Sequence, residues 1–550
     1  MRNIFFLILS CFCLLSVHAQ NETSKDHISL AGIWNFKLDP LNVSIPVKGS
    51  NFVSKFPEEI TLPGSTDQAG KGFKTQDMSS LRLTRMFEYS GAAWYEKENI
   101  FIPESWKDQQ LFLFLERVHW ESQVWINGKF VGKEESLSTP HLYDITSYVK
   151  FGDWNTVRIR VDNGNIHNIA YTHAISAETQ TNWNGIIGRM EIQAVSKVHI
   201  ADVQIYPLQK EKRLKIVAQI VNYSNLPVKG DIRINCHFLN DSQDLHLKEK
   251  NTTFNSSDSL IHLVHYYDLG DKLYTWDEFE PNLYEIDYEI KCCGKSDVRK
   301  IKFGIRDFGT KGTHFTINDI PTFIRGAVNS CEFPITGYPP MGYEEWKKVM
   351  KVYKDYGLNC IRFHSWCPPE SAFQVADELG LYLQVENSDW RFTVGEDEAT
   401  NAFYLDEAQR IFKEYGNHPS FAFFCEGNEL VGKGCVDFLK EMLTEWKKDS
   451  RHLYVAASGY PTVEGSDFFD FYGARPQRWQ EGLKGRFNSQ PLNTRYDYID
   501  YVKKFSIPMV THEIGQWCAY PDFNQISKYI GVLKPYNYEL FREDLRNKKM

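Results

Sequence analysis

The strongest constraint in this 550-residue chain is a change of pattern at Asp307. Downstream of it, short apolar segments alternate with amphipathic ones in a strand, loop, helix order. The apolar segments are Phe323–Val328, Cys360–Phe363, Tyr382–Val385, Phe421–Phe424, Leu453–Ala456, Phe468–Tyr472 and Pro508–Thr511. Each is apolar on both faces, as parallel strands covered by helices must be. Trp346, Val349, Met350 and Tyr353 mark a stripe of helical period between them, and Phe438, Leu439, Met442 and Trp446 mark another. Gly357, Gly380 and Gly416 stand where helix C-caps belong. Repeated βα units at this spacing predict a (β/α)8 TIM barrel. Seven strands are read before a helical Tyr538–Asn547, whereas a closed barrel needs eight. The expectation is therefore an incomplete barrel, a fragment of a longer reading frame; the alternative is a strand missed in the reading.

Upstream the pattern is all-β. Residues 25 to 198 are short alternating segments broken by Gly, Pro, Asn and Asp. Val157–Val161 alternates with period two, and Gln123–Ile126 runs into Asn127-Gly128, a strong hairpin signal. This predicts a jelly-roll sandwich. From about 199 to 306 roughly seven shorter strands follow, including Val203–Tyr206, Leu214–Ala218 and Ile232–Ile234, which suits an immunoglobulin-like sandwich. The first residues are different again: Met1-Arg2-Asn3, an apolar Ile4–Val17, then Val17-His18-Ala19. That is the form of a secretory signal peptide. The predicted divisions are thus 1–19 signal peptide, 20–198 jelly roll, 199–306 immunoglobulin-like sandwich and 307–550 incomplete barrel.

Composition narrows the function classes. With 62 Lys+Arg against 71 Asp+Glu, the net charge is −9, and no basic run argues for nucleic acid or anionic membrane. No later stretch is long and apolar enough to span a bilayer. Of 11 cysteines, nine lie beyond residue 19, an odd number without metal-ligand spacing; they read as buried free thiols. Export with few obligatory disulfides predicts the periplasm or cell envelope of a bacterium.

In barrels, reactive side chains hang from the C-terminal strand ends. The strand Phe421–Phe424 opens into Cys425-Glu426-Gly427-Asn428-Glu429, and Pro508–Thr511 into His512-Glu513-Ile514-Gly515. Two carboxylates, Glu429 and Glu513, thus sit at two strand mouths. Retaining glycoside hydrolysis needs such a pair, one nucleophile and one acid/base with a raised pKa. Taken singly, a strand-end Glu is more often merely solvated; two after apolar strands reverse that balance. Other strand ends offer Arg362 and His364, Glu386 with Trp390 behind it, and Tyr472, with Trp517 just past Glu513. The aromatics, 15% of the chain, divide between core packing and sugar-stacking surface; Trp366, Trp390, Tyr472 and Trp517 are the candidates for the mouth. No His-Glu-x-x-His, phosphate loop, dinucleotide fingerprint or Gly-x-Ser-x-Gly elbow competes, so neither metal nor cofactor is expected.

The chain resembles glycoside hydrolase family 2 over nearly all of its length past the leader. The residues carrying this include Leu30–Phe36, Leu113–Val118 and Val124–Gly132 in the jelly roll. Trp276, Glu280–Tyr284 and Phe303–Arg306 carry it around the second sandwich. Gly427-Asn428-Glu429 matches the family's acid/base motif. His512-Glu513-Ile514-Gly515 matches its nucleophile motif, with His512 and Ile514 departing from the usual Ser-Glu-Tyr-Gly-like string. The resemblance implies Glu429 as acid/base, Glu513 as nucleophile and Asn428 on the sugar 2-hydroxyl, with Arg362 and His364 matching the family's Arg and His approximately. It implies an exported retaining exo-β-glycosidase of carbohydrate catabolism acting on an oligosaccharide or glycoside, β-galactosidase-like first. A uronate-type Asn547-x-Lys549 falls in the last predicted helix and is discounted. The competing class is a non-catalytic carbohydrate-binding protein with an incomplete barrel. Oligomeric state is not legible.

Overall fold

The computed structural model describes residues 26–45, 56–75, 79–169, 171–176, 181–240, 245, 247–472, 499–514 and 520–550. The expected leader, 1–19, and Trp517 lie outside the described residues.

The first region packs two antiparallel sheets face to face. One runs Asp26–Ser29, Gly185–Ser196, Gln109–His119, His141–Asp144, with Gly64–Ser65 pairing beside Gly185. The other has six strands, ordered Lys129–Glu135, Glu121–Ile126, Asp153–Asp162, Ala92–Ile102, Gly32–Asp39, Glu58–Leu62. Alternate residues point inward: Val157, Ile159 and Val161 are buried together with Leu111, Leu113 and Leu115 of the facing sheet. The Asn127-Gly128 signal is a hairpin turn with both residues at positive φ, 51° and 79°, which only such short or absent side chains take cheaply.

A second sandwich follows. Three strands (Val198–Leu208, Arg213–Asn222, Leu260–Asp268) face four (Lys250–Ser256, Val228–Phe238, Tyr284–Cys292, Lys295–Phe303) over an Ile- and Tyr-rich core. All eight described cysteines are free thiols, and of these Cys293 alone is exposed.

The third region is a parallel run. Gly326–Asn329, Cys360–Phe363, Tyr382–Asp389, Phe421–Gly427 and Leu453–Tyr454 are hydrogen-bonded in that order. The next part of the fifth strand, Ser458–Gly459, pairs with Phe469–Phe471 and that with Met509–Thr511. A bridge between Asn428 and Ser458 joins the two sheets. Among the described residues these seven strand positions do not close into a barrel. The last short strand, Leu533–Lys534, pairs instead with Thr84–Arg85 of the first region.

The fourth strand shows why these segments are apolar on both sides. Phe421 and Phe424 pack outward with Phe412 and Trp446 of the helices Glu398–Tyr415 and Cys435–Trp446. Phe423 points inward, edge-on to Phe308, Phe315 and Phe468. Trp366, expected at the mouth, is instead buried: its ring lies against Phe363 and Trp346, with Nε1–H donated to the Asn329 carbonyl. Its side chain follows the covering-helix face of the run, so the reading that placed it near a substrate is corrected.

Candidate active site

The strand ends bring together side chains far apart in the sequence. Arg362, last but one in the second strand, is the hub. Its Nε donates to Glu386 Oε1 at 2.6 Å, Nη2 to Asn428 Oδ1 at 2.7 Å and Nη1 to Glu513 Oε1 at 3.2 Å. Glu386 also accepts from the Ser365 backbone N–H and the Ser458 hydroxyl, each at 2.6 Å. It is fully buried. Expected to face a substrate, Glu386 instead lies beneath Arg362 and aims the guanidinium at the mouth, because its oxygens are occupied by the groups that hold it. Burial alone would make both groups neutral; the mutual charge and hydrogen bonds prevail, raising the pKa of Arg362 and lowering that of Glu386.

Glu429 and Glu513 stand across the opening. His512 lies between them, Nε2 being 3.3 Å from Glu429 Oε1 and 3.4 Å from Glu513 Oε1. One oxygen of each carboxylate and a His512 nitrogen all fall within 4.8 Å of one another. On its far side His512 Nδ1 is 3.3 Å from Asp470 Oδ1. Burial lowers the pKa of His512, but Asp470 outweighs it, and the net direction is up. Asp470 is held down to about 2, against burial, by His512 and Arg362. Glu513 follows the same pattern: burial would raise its pKa, but the His364 hydrogen bond and the charges of His512 and Arg362 carry it well below the ordinary range. This carboxylate is held ionised.

Local backbone fits the purpose. Gly459 has φ +84°, and a Cβ there would lie 2.9 Å from His512 Nε2 and 3.0 Å from Glu429 Cγ. The fifth strand therefore passes close beneath the pair only because it carries no side chain at that point. Asn428 is buried, and among the described residues its Nδ2 has no partner, while Oδ1 is taken by Arg362. A buried amide with one end fixed and one donor unused is suited to a ligand oxygen. Glu426, three residues before Glu429, faces the other way. It accepts from Asn387 Nδ2 at 2.8 Å, and burial, reinforced by Asp389, raises its pKa strongly.

Of the other predicted residues, His364 lies on the Glu513 side, Nε2 being 3.2 Å from Glu513 Oε1. Trp390 is half-buried against it, ring centroids 4.8 Å apart. Tyr472 is 48% exposed and edge-on to Tyr460 at the rim. Sequence reading passed over Asp470, Ser458 and His173 as site residues and left His512 as a neighbour. Asp470 had a signal, a lone acid between phenylalanines in a strand; His173 had none.

Comparison with known proteins agrees with this architecture. Residues 28–190 match the sugar binding domain of the glycosyl hydrolases family 2, and residues 198–306 match a second model described as glycosyl hydrolases family 2. The β-galactosidase of Priestia megaterium is 26% identical over 378 residues, covering 64% of this chain and 35% of that protein. The chain thus spans about a third of that relative's length. The β-glucuronidase of Dictyoglomus thermophilum superposes with a TM-score of 0.61 at 19% identity, over 81% of this chain and 75% of the other. A β-glucuronidase of Bacteroides uniformis gives a TM-score of 0.65 at 18% identity, over 79% and 53%. The two consecutive family-2 matches, over residues 28–190 and 198–306, make the chain a member of glycoside hydrolase family 2.

Proposed function

We propose that the chain carries the catalytic centre of a retaining exo-β-glycosidase, with Glu513 as nucleophile and Glu429 as acid/base. The observation that carries this reading is the carboxylate pair, with oxygens within 4.8 Å. Retaining enzymes separate their two carboxyls by about 5–5.5 Å, inverting ones by about 6.5–9.5 Å. In the first step Glu513 attacks the anomeric carbon while Glu429 gives its proton to the departing oxygen. In the second, Glu429 takes a proton from water, which displaces Glu513 from the sugar. Arg362, His364 and His512 keep Glu513 ionised, and Asn428 Nδ2 donates to the sugar 2-hydroxyl. Trp390 and Tyr472 line the mouth.

The same reading takes 307–550 as part of a (β/α)8 barrel, preceded by the jelly roll of 20–198 and the immunoglobulin-like sandwich of 199–306. It takes 1–19 as an export signal and the bacterial envelope as the location, with a glycoside or oligosaccharide as partner. The glycone is β-galactoside first, because relatives named β-galactosidase recur; β-glucuronides come second through the β-glucuronidase neighbours. A panel of aryl β-glycosides tests this, with Glu429→Ala and Glu513→Ala as controls. Turnover lost in both variants supports the assignment. Equal turnover in wild type and both variants rejects it, and glycan binding without any turnover favours a non-catalytic carbohydrate-binding protein.

A further inference from the structure

The first sandwich reaches into the site. Between its strands Asp153–Asp162 and Gly185–Ser196, residues 171–176 cross to the end of the second parallel strand. Thr172 Oγ1 donates to the Ser365 carbonyl at 3.4 Å, and the His173 backbone N–H donates to Ser365 Oγ at 3.0 Å. Ile175 is buried in the core of the parallel region. The His173 ring is stacked on Trp390, centroids 5.8 Å apart and planes 18° apart. Its Nδ1 lies 2.9 Å from Nδ1 of His364, whose Nε2 is 3.2 Å from Glu513 Oε1.

Two ring nitrogens at 2.9 Å need one N–H and one lone pair between them. An ionised Glu513 is only an acceptor, so the 3.2 Å contact is a hydrogen bond only in the tautomer that carries the His364 proton on Nε2. A neutral His364 then has a bare Nδ1, and the donor in the pair is His173 Nδ1–H. A doubly protonated His364 would reverse that bond. Burial and the Arg362 charge work against the cation, and they outweigh Glu513 and Glu386, so the pKa of His364 falls. His173 is turned the same way, by burial first and then by His364 and Arg362, with Glu513 opposing. The Ser365 hydroxyl lies 3.1 Å from His364 Nδ1 and 3.3 Å from His173 Nδ1, farther from each than the two ring nitrogens are from one another.

We propose that His173 is a positioning residue for the reaction: by donating to His364 Nδ1 it fixes the tautomer and orientation in which His364 Nε2–H holds the nucleophile Glu513. The first sandwich then completes the active site with a chain of two imidazoles, analogous in logic to the orienting third member of a catalytic triad. The inference rests on the glycosidase reading for its kinetic consequence, and on geometry alone for the tautomer.

The test uses His173→Phe, which keeps a ring against Trp390 but removes the N–H, and His173→Asn, whose amide can supply an N–H near the same place. With the best aryl β-glycoside, His173→Phe is expected to lower kcat by about tenfold or more with KM changed by less than about twofold, and His173→Asn to recover most of the loss. In 15N-histidine-labelled protein, with His364 assigned through His364→Gln, His364 is expected as the Nε2–H tautomer. In His173→Phe it is expected as a mixture. An unchanged kcat with an unchanged tautomer overturns the proposal. A raised KM at constant kcat also overturns it, making His173 a substrate contact. If the wild-type chain turns over no glycoside, the glycosidase reading fails, and the tautomer measurement still decides the role of His173.

Discussion

Glu429 and Glu513 share a backbone conformation as well as a chemistry: their φ values are 47° and 49°, in the left-handed region. A residue with a Cβ gives up about 1 kcal/mol or more there, and glycine does not. Strain of this kind gathers where a side chain must be aimed rather than merely accommodated. It follows that Glu429→Gly is more stable than Glu429→Ala by about 1 kcal/mol, measured by urea unfolding, although both lack the acid; equal stabilities would contradict the strain. The two carboxylates were legible in the sequence because each follows an apolar strand and stands beside a distinctive neighbour. The groups that tune them were not. Asp470 and His512 act through contacts set by strand order, and His173 arrives from another sandwich.

At the scale of the element, the fourth strand Phe421–Gly427 explains what the apolar pattern does and where it fails. Phe423 and its inward neighbours seal the lower end of the parallel run, and Phe421 and Phe424 seat the helices. Phe423→Ala should cost about 3–5 kcal/mol, read as a lower denaturation midpoint, because the surrounding rings cannot collapse into the space. A cost under about 1 kcal/mol would show that the inward cluster is not packed as described. The sequence located this strand but ended it at Phe424, since Glu426 looks like a loop residue. The strand continues with Glu426 buried against Asn387, and burial, reinforced by Asp389, raises its pKa. The first strand was placed too early for the converse reason. Phe323 looks like core yet is 78% exposed, and the ladder starts at Gly326.

Across the whole molecule, the three regions meet around a cavity of about 210 Å³. Its lining includes Arg189 of the first sandwich, Arg299 of the second, and Glu370 and His418 of the third. His418 is buried, with Nδ1 2.6 Å from Asp377 and Nε2 3.2 Å from Glu370. Burial lowers its pKa, but the two carboxylates outweigh that and raise it to about 10. Its stabilising contribution is therefore complete below about pH 6.5 and lost as pH rises toward 10. The wild-type urea midpoint is expected to fall over that window, and the fall to shrink in His418→Gln; an identical slope in the variant would contradict this. The junction was invisible in the sequence, where each region reads as a separate pattern. In the proposed mechanism Glu513 and Glu429 divide the labour between attack and proton transfer. The most direct measurement is covalent capture with galacto- and glucurono-configured cyclophellitol aziridines, read by intact mass and peptide mapping. One adduct per chain, on Glu513 and lost in Glu513→Gln, is the predicted result. An adduct on any other carboxylate, or none from a chain that hydrolyses the matching glycoside, would contradict it.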